Sequence, residues 1–303
     1  MINKIYRNYV SKKIFMMGTS HLLNIRPKYK KIKNINDLDY KIFSQNGEDG
    51  IIDYLLNRLK IFKPKFVEIG VGDYSECNTK FIFERTSAKG LIIDCLKNFK
   101  INVLKNIKLW RGDLNIVEKK IDSKNIISIL KKNNFLKNID LFSLDIDGID
   151  YWVIEKLPRN FSKIAVLEYN SIYGPNLDIT VPNVSNFDRS KYHYSHLCFG
   201  SSLKALVKIM KKKNFTFVGC DITRCNAFFV NNKYLKYIKL NIPDQNKLDI
   251  FTKSNIRESR NKIGKLSYKS GSERLKLIKN CTVFDLKNKK LKKIKDLFKF
   301  KKI

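Results

Sequence analysis

The stretch FVEIGVGDYSECNT, residues 66–79, decides how the rest of the chain is read. An apolar run carrying Glu68 forms a strand, Gly70 and Gly72 break it, and after Asp73 a series of polar residues opens a helix. Glycines that follow a parallel strand let a ligand come close to the backbone, and ligands of such sheets bind at the carboxyl ends of the strands. Asp94 closes the next apolar run, 22 residues after Gly72, where an acidic side chain can accept both hydrogen bonds of a ribose diol.

Outward from this stretch, short apolar runs alternate with helical periodicity. Strands are expected at 66–69, 90–94, 107–110, 141–146 and 164–169. Between them, Ile126, Ile127, Ile129 and Leu130, and later Leu203, Leu206, Val207 and Met210, share helical faces. Ahead of the first strand, SQNGEDGIIDYLLNRL (44–59) places Ile51, Ile52, Leu55, Leu56 and Leu59 on one stripe, with acidic residues at the helix start where the dipole favours them. After the fifth strand, residues 171–196 show no period and carry Gly, Pro, Asn and aromatics, the composition of a binding loop. FTFVGCD and CNAFFVN, joined by a short link, read as a final antiparallel pair. The fold class is therefore α/β, a Rossmann-like doubly wound, mostly parallel sheet ending in an antiparallel hairpin.

Two nucleotide-type cofactors suit this pattern. A dinucleotide site wants a third small residue, usually Gly, where Ser75 stands, and has no need of Glu68. An acidic residue ahead of Gly-x-Gly suits S-adenosylmethionine, which has a cationic amino-acid end and no pyrophosphate. The blocks SQNGEDG (44–50), VEIGVGDYSECNT (67–79), GLIIDC (90–95), LFSLDIDGIDYWV (141–153), LEYNSIYGPN (167–176), FGSSLKALVKIM (199–210) and FVGCDITRCNAFFV (217–230), in this order, resemble class I S-adenosylmethionine-dependent methyltransferases, within them a bacterial branch related to the FkbM-type enzymes. The resemblance implies that Glu68, Gly70 and Gly72 line the methionine end of the cofactor, Asp94 the ribose and Asp113 the adenine. Gln45 and Glu48 would close over it. It also implies an O-methyltransferase acting on a sugar or sugar-nucleotide hydroxyl in surface-glycan assembly.

LDIDGIDYW places Asp145, Asp147 and Asp150 around the carboxyl end of the fourth strand. Carboxylates so close repel one another unless a proton or a cation compensates. Asp147 as a general base, a divalent cation held by these residues with Glu168, and a capped turn all remain open. His193 and His196 fall in the aromatic-rich loop YHYSH, and His193 is a candidate acid or base.

The chain has 303 residues, 43% of them apolar and 12% aromatic, which excludes a disordered chain and is enough for a full core. Its 61 Lys+Arg against 28 Asp+Glu give a net charge of +33. Residues 1–40 carry 9 basic and 2 acidic side chains, 41–232 carry 30 and 20, and 233–303 carry 22 and 6. The expected organisation is a basic extension at 1–40, a methyltransferase domain at 41–232 and a basic extension at 233–303. In the last segment Leu291, Ile294, Leu297 and Phe298 fall at helical spacing among lysines, the pattern of a helix packed on the domain with its lysines in solvent or of one lying on an anionic membrane. A noncatalytic protein binding a membrane or nucleic acid is the alternative from charge alone, with nucleic acid disfavoured because aromatic RNA-reading patterns are absent. Six cysteines without a Cys-x-x-Cys pair argue against a zinc site. Lysines interrupt the N-terminal apolar residues, and no run reaches membrane-span length, so the expected location is the cytoplasm, peripheral at the inner membrane surface.

Overall fold

The computed structural model describes residues 2–298. A long helix, α1 (Ile2–Ile25), is followed by α2 (Glu48–Arg58) and then by the alternation β1 (Lys65–Ile69), α3 (Lys80–Thr86), β2 (Lys89–Asp94), α4 (Phe99–Asn106), β3 (Asp113–Glu118), α5 (Ile126–Lys132), β4 (Ile139–Leu144), α6 (Asp150–Lys156) and β5 (Ser162–Glu168). After the fifth strand come β6 (Ile179–Thr180), α7 (Arg189–Tyr192), α8 (Leu203–Lys212), β7 (Phe215–Cys220), β8 (Asn226–Asn231), α9 (Gly271–Leu277), β9 (Thr282–Asp285) and β10 (Lys290–Lys293).

Seven strands form the main sheet in the order β3-β2-β1-β4-β5-β8-β7. The first five are parallel, while β8 runs antiparallel to both β5 and β7. Chain order reverses between β1 and β4, which opens a crevice at their carboxyl ends. Alternate strand residues are buried on opposite faces. Val67, Leu91, Phe142 and Ala165 pack with residues of α5, α6 and α8. Phe66, Ile92, Leu141 and Ile164 pack with residues of α2, α3 and α4, among them the expected stripe residues Ile51, Ile52 and Leu55.

The third strand corrects the expectation for 107–110. Leu109 and Trp110 are exposed on a 3-10 turn, and the strand begins at Asp113. This is a sheet edge, half-buried along its length, so its sequence DLNIVE shows no apolar run. The expected C-terminal amphipathic helix is also absent: residues 290–293 form β10 and 294–296 a 3-10 turn, with Ile294 buried. Residues 299–303 of that segment lie outside the described residues.

Both basic flanks pack against the central layers. Arg26 and Arg85 both donate to the buried Asp53 of α2 (2.6 Å each to Oδ1), Tyr29 adds its hydroxyl (2.9 Å), and Tyr29, Ile35 and Leu38 join the core over α2. From the other flank, Leu248 and Phe251 enter the opposite face. The loop expected at 171–196 is held by β6, which pairs with β9 in a second, three-stranded sheet. Among the described residues no helix is long and apolar enough to cross a membrane.

Candidate functional site

The site is built at the crevice between β1 and β4. Gly70 adopts φ +82°, and a Cβ there would lie 1.5 Å from the carbonyl oxygen of Asp145. Only glycine lets the two strand ends run this close. Gly72, at φ +58°, has nothing within 4 Å of its missing Cβ. That open space belongs to a cavity of about 310 Å³ lined by Gly70, Gly72, Asp94, Asp145, Asp147 and, across it, Phe187. Asp94 accepts the amides of Val71 (2.9 Å) and Gly72 (2.8 Å) on one oxygen and that of Leu96 (2.9 Å) on the other. A carboxylate offers about four acceptor positions, so Asp94 fixes the glycine loop and keeps capacity for one more donor.

Glu68 behaves differently from its expected role at the cofactor. Its side chain is buried and lines neither cavity described here; it accepts the amides of Asn78 (2.8 Å) and Thr79 (2.9 Å), tying down the far end of the loop. Burial pushes its pKa up to about 7 against the pull of these hydrogen bonds. Asp113 is a second correction. It starts β3, at the sheet edge opposite the carboxyl ends, and pairs with Lys89 (2.9 Å). The residues that β3 delivers to the cavity are Lys119, Lys120 and Ile121.

A second cavity of about 170 Å³ adjoins the first, and Asp145 and Asp147 line both. Its other walls include Gln45, Glu168, Arg189, His196, Glu258 and Arg274. Gln45 therefore faces this cavity and not the one beside Asp94. Glu48, buried behind it, holds the amide of Asn46 (2.8 Å) and the side chain of Asn226 (2.6 Å). The loop carrying Gln45 is shaped by Asp49, whose Oδ2 accepts the amides of Ile42, Phe43 and Ser44 at 2.6 to 2.7 Å. The structure brings His196 to the cavity, whereas His193 bonds through Nδ1 to Ser195 Oγ (2.7 Å) and lines neither space. Partial burial lowers the pKa of His193.

The carboxylates at the junction are in three distinct environments. Asp150 accepts the amides of Ile146 (2.9 Å) and Gly148 (3.0 Å) and opens α6, so it serves the turn. Asp147 is half exposed, at φ +53°, and pairs with Arg189 Nη1 at 2.5 Å. Asp145 is pushed up to about 8, first by burial and then by the charges of Asp147 and Asp150. Glu168 is raised well above the ordinary carboxylate range by burial and by Asp145. Asp145, Asp147 and Glu168 each offer an oxygen within 4.8 Å of the others, close enough to share protons or to hold a divalent cation. Arg189, the first residue of α7, is marked by no motif in the sequence. In a chain with 11 Arg and 50 Lys, the choice of Arg was the available signal, because its planar fork suits carboxylates.

No protein-family model matches the chain. No curated protein matches it either. Similar solved structures include the pyocyanin biosynthetic protein PhzM, at 15% identity and a TM-score of 0.34, covering 58% of this chain and 53% of that one. An O-methyltransferase family protein from Burkholderia thailandensis shows 13% identity and a TM-score of 0.38, with 60% and 55% covered. An S-adenosylmethionine-dependent methyltransferase from Clostridium acetobutylicum ATCC 824 shows 11% identity and a TM-score of 0.40, with 71% and 98% covered. The chain thus spans about half the length of the first two.

Proposed function

We propose that the chain is an S-adenosylmethionine-dependent O-methyltransferase whose acceptor is a sugar or sugar-nucleotide. The observation that carries this reading is the pair of cavities meeting at Asp145 and Asp147, at the point where the order of the parallel strands reverses. One cavity has the features a nucleoside-bearing cofactor needs: open space over Gly72, and an acidic side chain with spare acceptor capacity at the end of β2. Asp94 would accept from one ribose hydroxyl, and the backbone of Gly70 and Gly72 would border the amino-acid end. The cofactor supplies a methyl group already activated on a sulfonium.

The chain's own work is to align the acceptor and remove one proton. Asp145 suits the second task best, because it borders both cavities and its pKa of about 8 lies near neutrality. Burial raises Asp147 as well, but its ion pair with Arg189 opposes that shift by stabilising the charged form. Its place in the pair is to position Arg189 and to raise Asp145. The sugar class follows from the resemblance of the sequence blocks, and a polar second cavity agrees with it.

Calorimetry with S-adenosylhomocysteine tests the cofactor half: wild type binds, and Asp94→Ala binds at least about tenfold more weakly. Absence of binding by the wild-type chain removes the reading. Chelation separates the two roles of the carboxylate cluster. Unchanged turnover in EDTA supports proton transfer, and a loss restored by added magnesium assigns the cluster to a cation.

A further inference from the structure

Arg274 is the one residue of the site that comes from α9, far beyond the sequence blocks that resemble methyltransferases. It is 7% exposed, yet among the described residues no carboxylate lies within salt-bridge distance of it. Its Nη1 donates to the carbonyl of Ile256 (2.7 Å), and its buried Nε–H has no partner. Glu258 steadies its charge from farther away, but that carboxylate is engaged by Arg189 (3.5 Å) and Arg260 (3.8 Å). A guanidinium stays charged even when burial disfavours it, and a buried charge without a paired counter-ion is costly. The other group near enough to favour the charge is the Cys225 thiol, which burial pushes up to about 12.

We propose that Arg274 is the anion-binding residue of the acceptor site, so that the acceptor carries an oxyanion, a carboxylate or a phosphate, on the sugar it presents. The inference rests on the methyltransferase reading for the word acceptor, while the oxyanion pocket stands on Arg274 itself. With Nε enclosed and one Nη1 hydrogen given to Ile256, Nη2 and the second Nη1 hydrogen remain, and this end of the fork can donate to two oxygens of one anion. The acidic neighbours do not forbid an anion. Asp147 and Glu258 are both paired with Arg189, which brings a second guanidinium to the wall of the same cavity.

The test uses the full chain and three probes, glucose, glucose 1-phosphate and glucuronate, with binding followed by calorimetry with and without S-adenosylhomocysteine. Wild type should bind at least one of the two oxyanions about tenfold more tightly than glucose, and which one it prefers identifies the phosphate or the carboxylate. Arg274→Met should abolish that preference while leaving affinity for S-adenosylhomocysteine within about twofold of wild type. Arg274→Lys keeps the charge without the fork; it should retain the fold and lose most of the preference, which guards against a Met variant that does not fold. Equal binding of all three probes by wild type, or a preference that survives Arg274→Lys undiminished, overturns the proposal. If wild type fails to bind S-adenosylhomocysteine, the cofactor reading falls, and the oxyanion arm run without it still judges Arg274.

Discussion

Asp145 has a different meaning for activity and for stability. As the proposed base it must lose its proton, so turnover should rise with pH and level off above about 8, and Asp145→Asn should lower turnover by about 100-fold with little change in S-adenosylhomocysteine affinity. For stability the sign is opposite. Its pKa is raised from 3.8 to about 8, so the fold binds more protons than the unfolded chain, and Asp145 stabilises least once pH passes the folded value. The melting temperature of Asp145→Asn should therefore gain on wild type between about pH 4 and pH 8 and hold its lead above that, which thermal melts across pH would show. Gly70 sets the other limit at this scale. A methyl group there meets the Asp145 carbonyl at 1.5 Å, so Gly70→Ala should cost about 3 kcal/mol or more in urea unfolding. Both residues stand in the motif blocks, and their neighbourhood was legible there. That Glu68 turns inward to Asn78 and Thr79 was not, because strand periodicity assigns a face but not a hydrogen-bond partner.

The element that shapes the second cavity is the turn into α2. Asp49 gathers three backbone amides from residues 42–44 with one oxygen, and this fixes the path of the loop that presents Gln45. Asp49→Ala leaves those amides without their acceptor and should cost about 3 kcal/mol, measured by urea denaturation. The hydrophobic stripe of α2 was readable because a 3.6-residue period survives wherever one face is buried. The edge strand β3 carried no such signal, since half-burial removes the apolar run. The C-terminal lysine-rich segment misled in the opposite direction. Leu291 and Ile294 sit at helical spacing, but Leu291 is exposed on β10 and Ile294 is buried after it, because β10 pairs with β9 and β9 with β6.

At the scale of the molecule, the two basic flanks contribute to the same cores as the central segment. Tyr29 and Leu38 pack in one cluster with α2, and Leu248 and Phe251 join the core on the opposite face. A chain cut to residues 41–232 should accordingly lose cooperative unfolding in a thermal melt that the full chain shows, since it uncovers apolar surface on both faces. The sequence by itself determined the parallel strands 1, 2, 4 and 5, the glycine turn after the first, the acidic end of the second and the closing hairpin. Each of these is a local signal, a period or a residue type required by a backbone conformation. Tertiary structure alone decided that Arg189 meets Asp147, that His196 and not His193 reaches the cavity, and that Arg274 arrives from α9 to border the same space as Gln45. Such encounters join positions up to 229 apart in the sequence, and proximity created by folding leaves no period or motif to read beforehand.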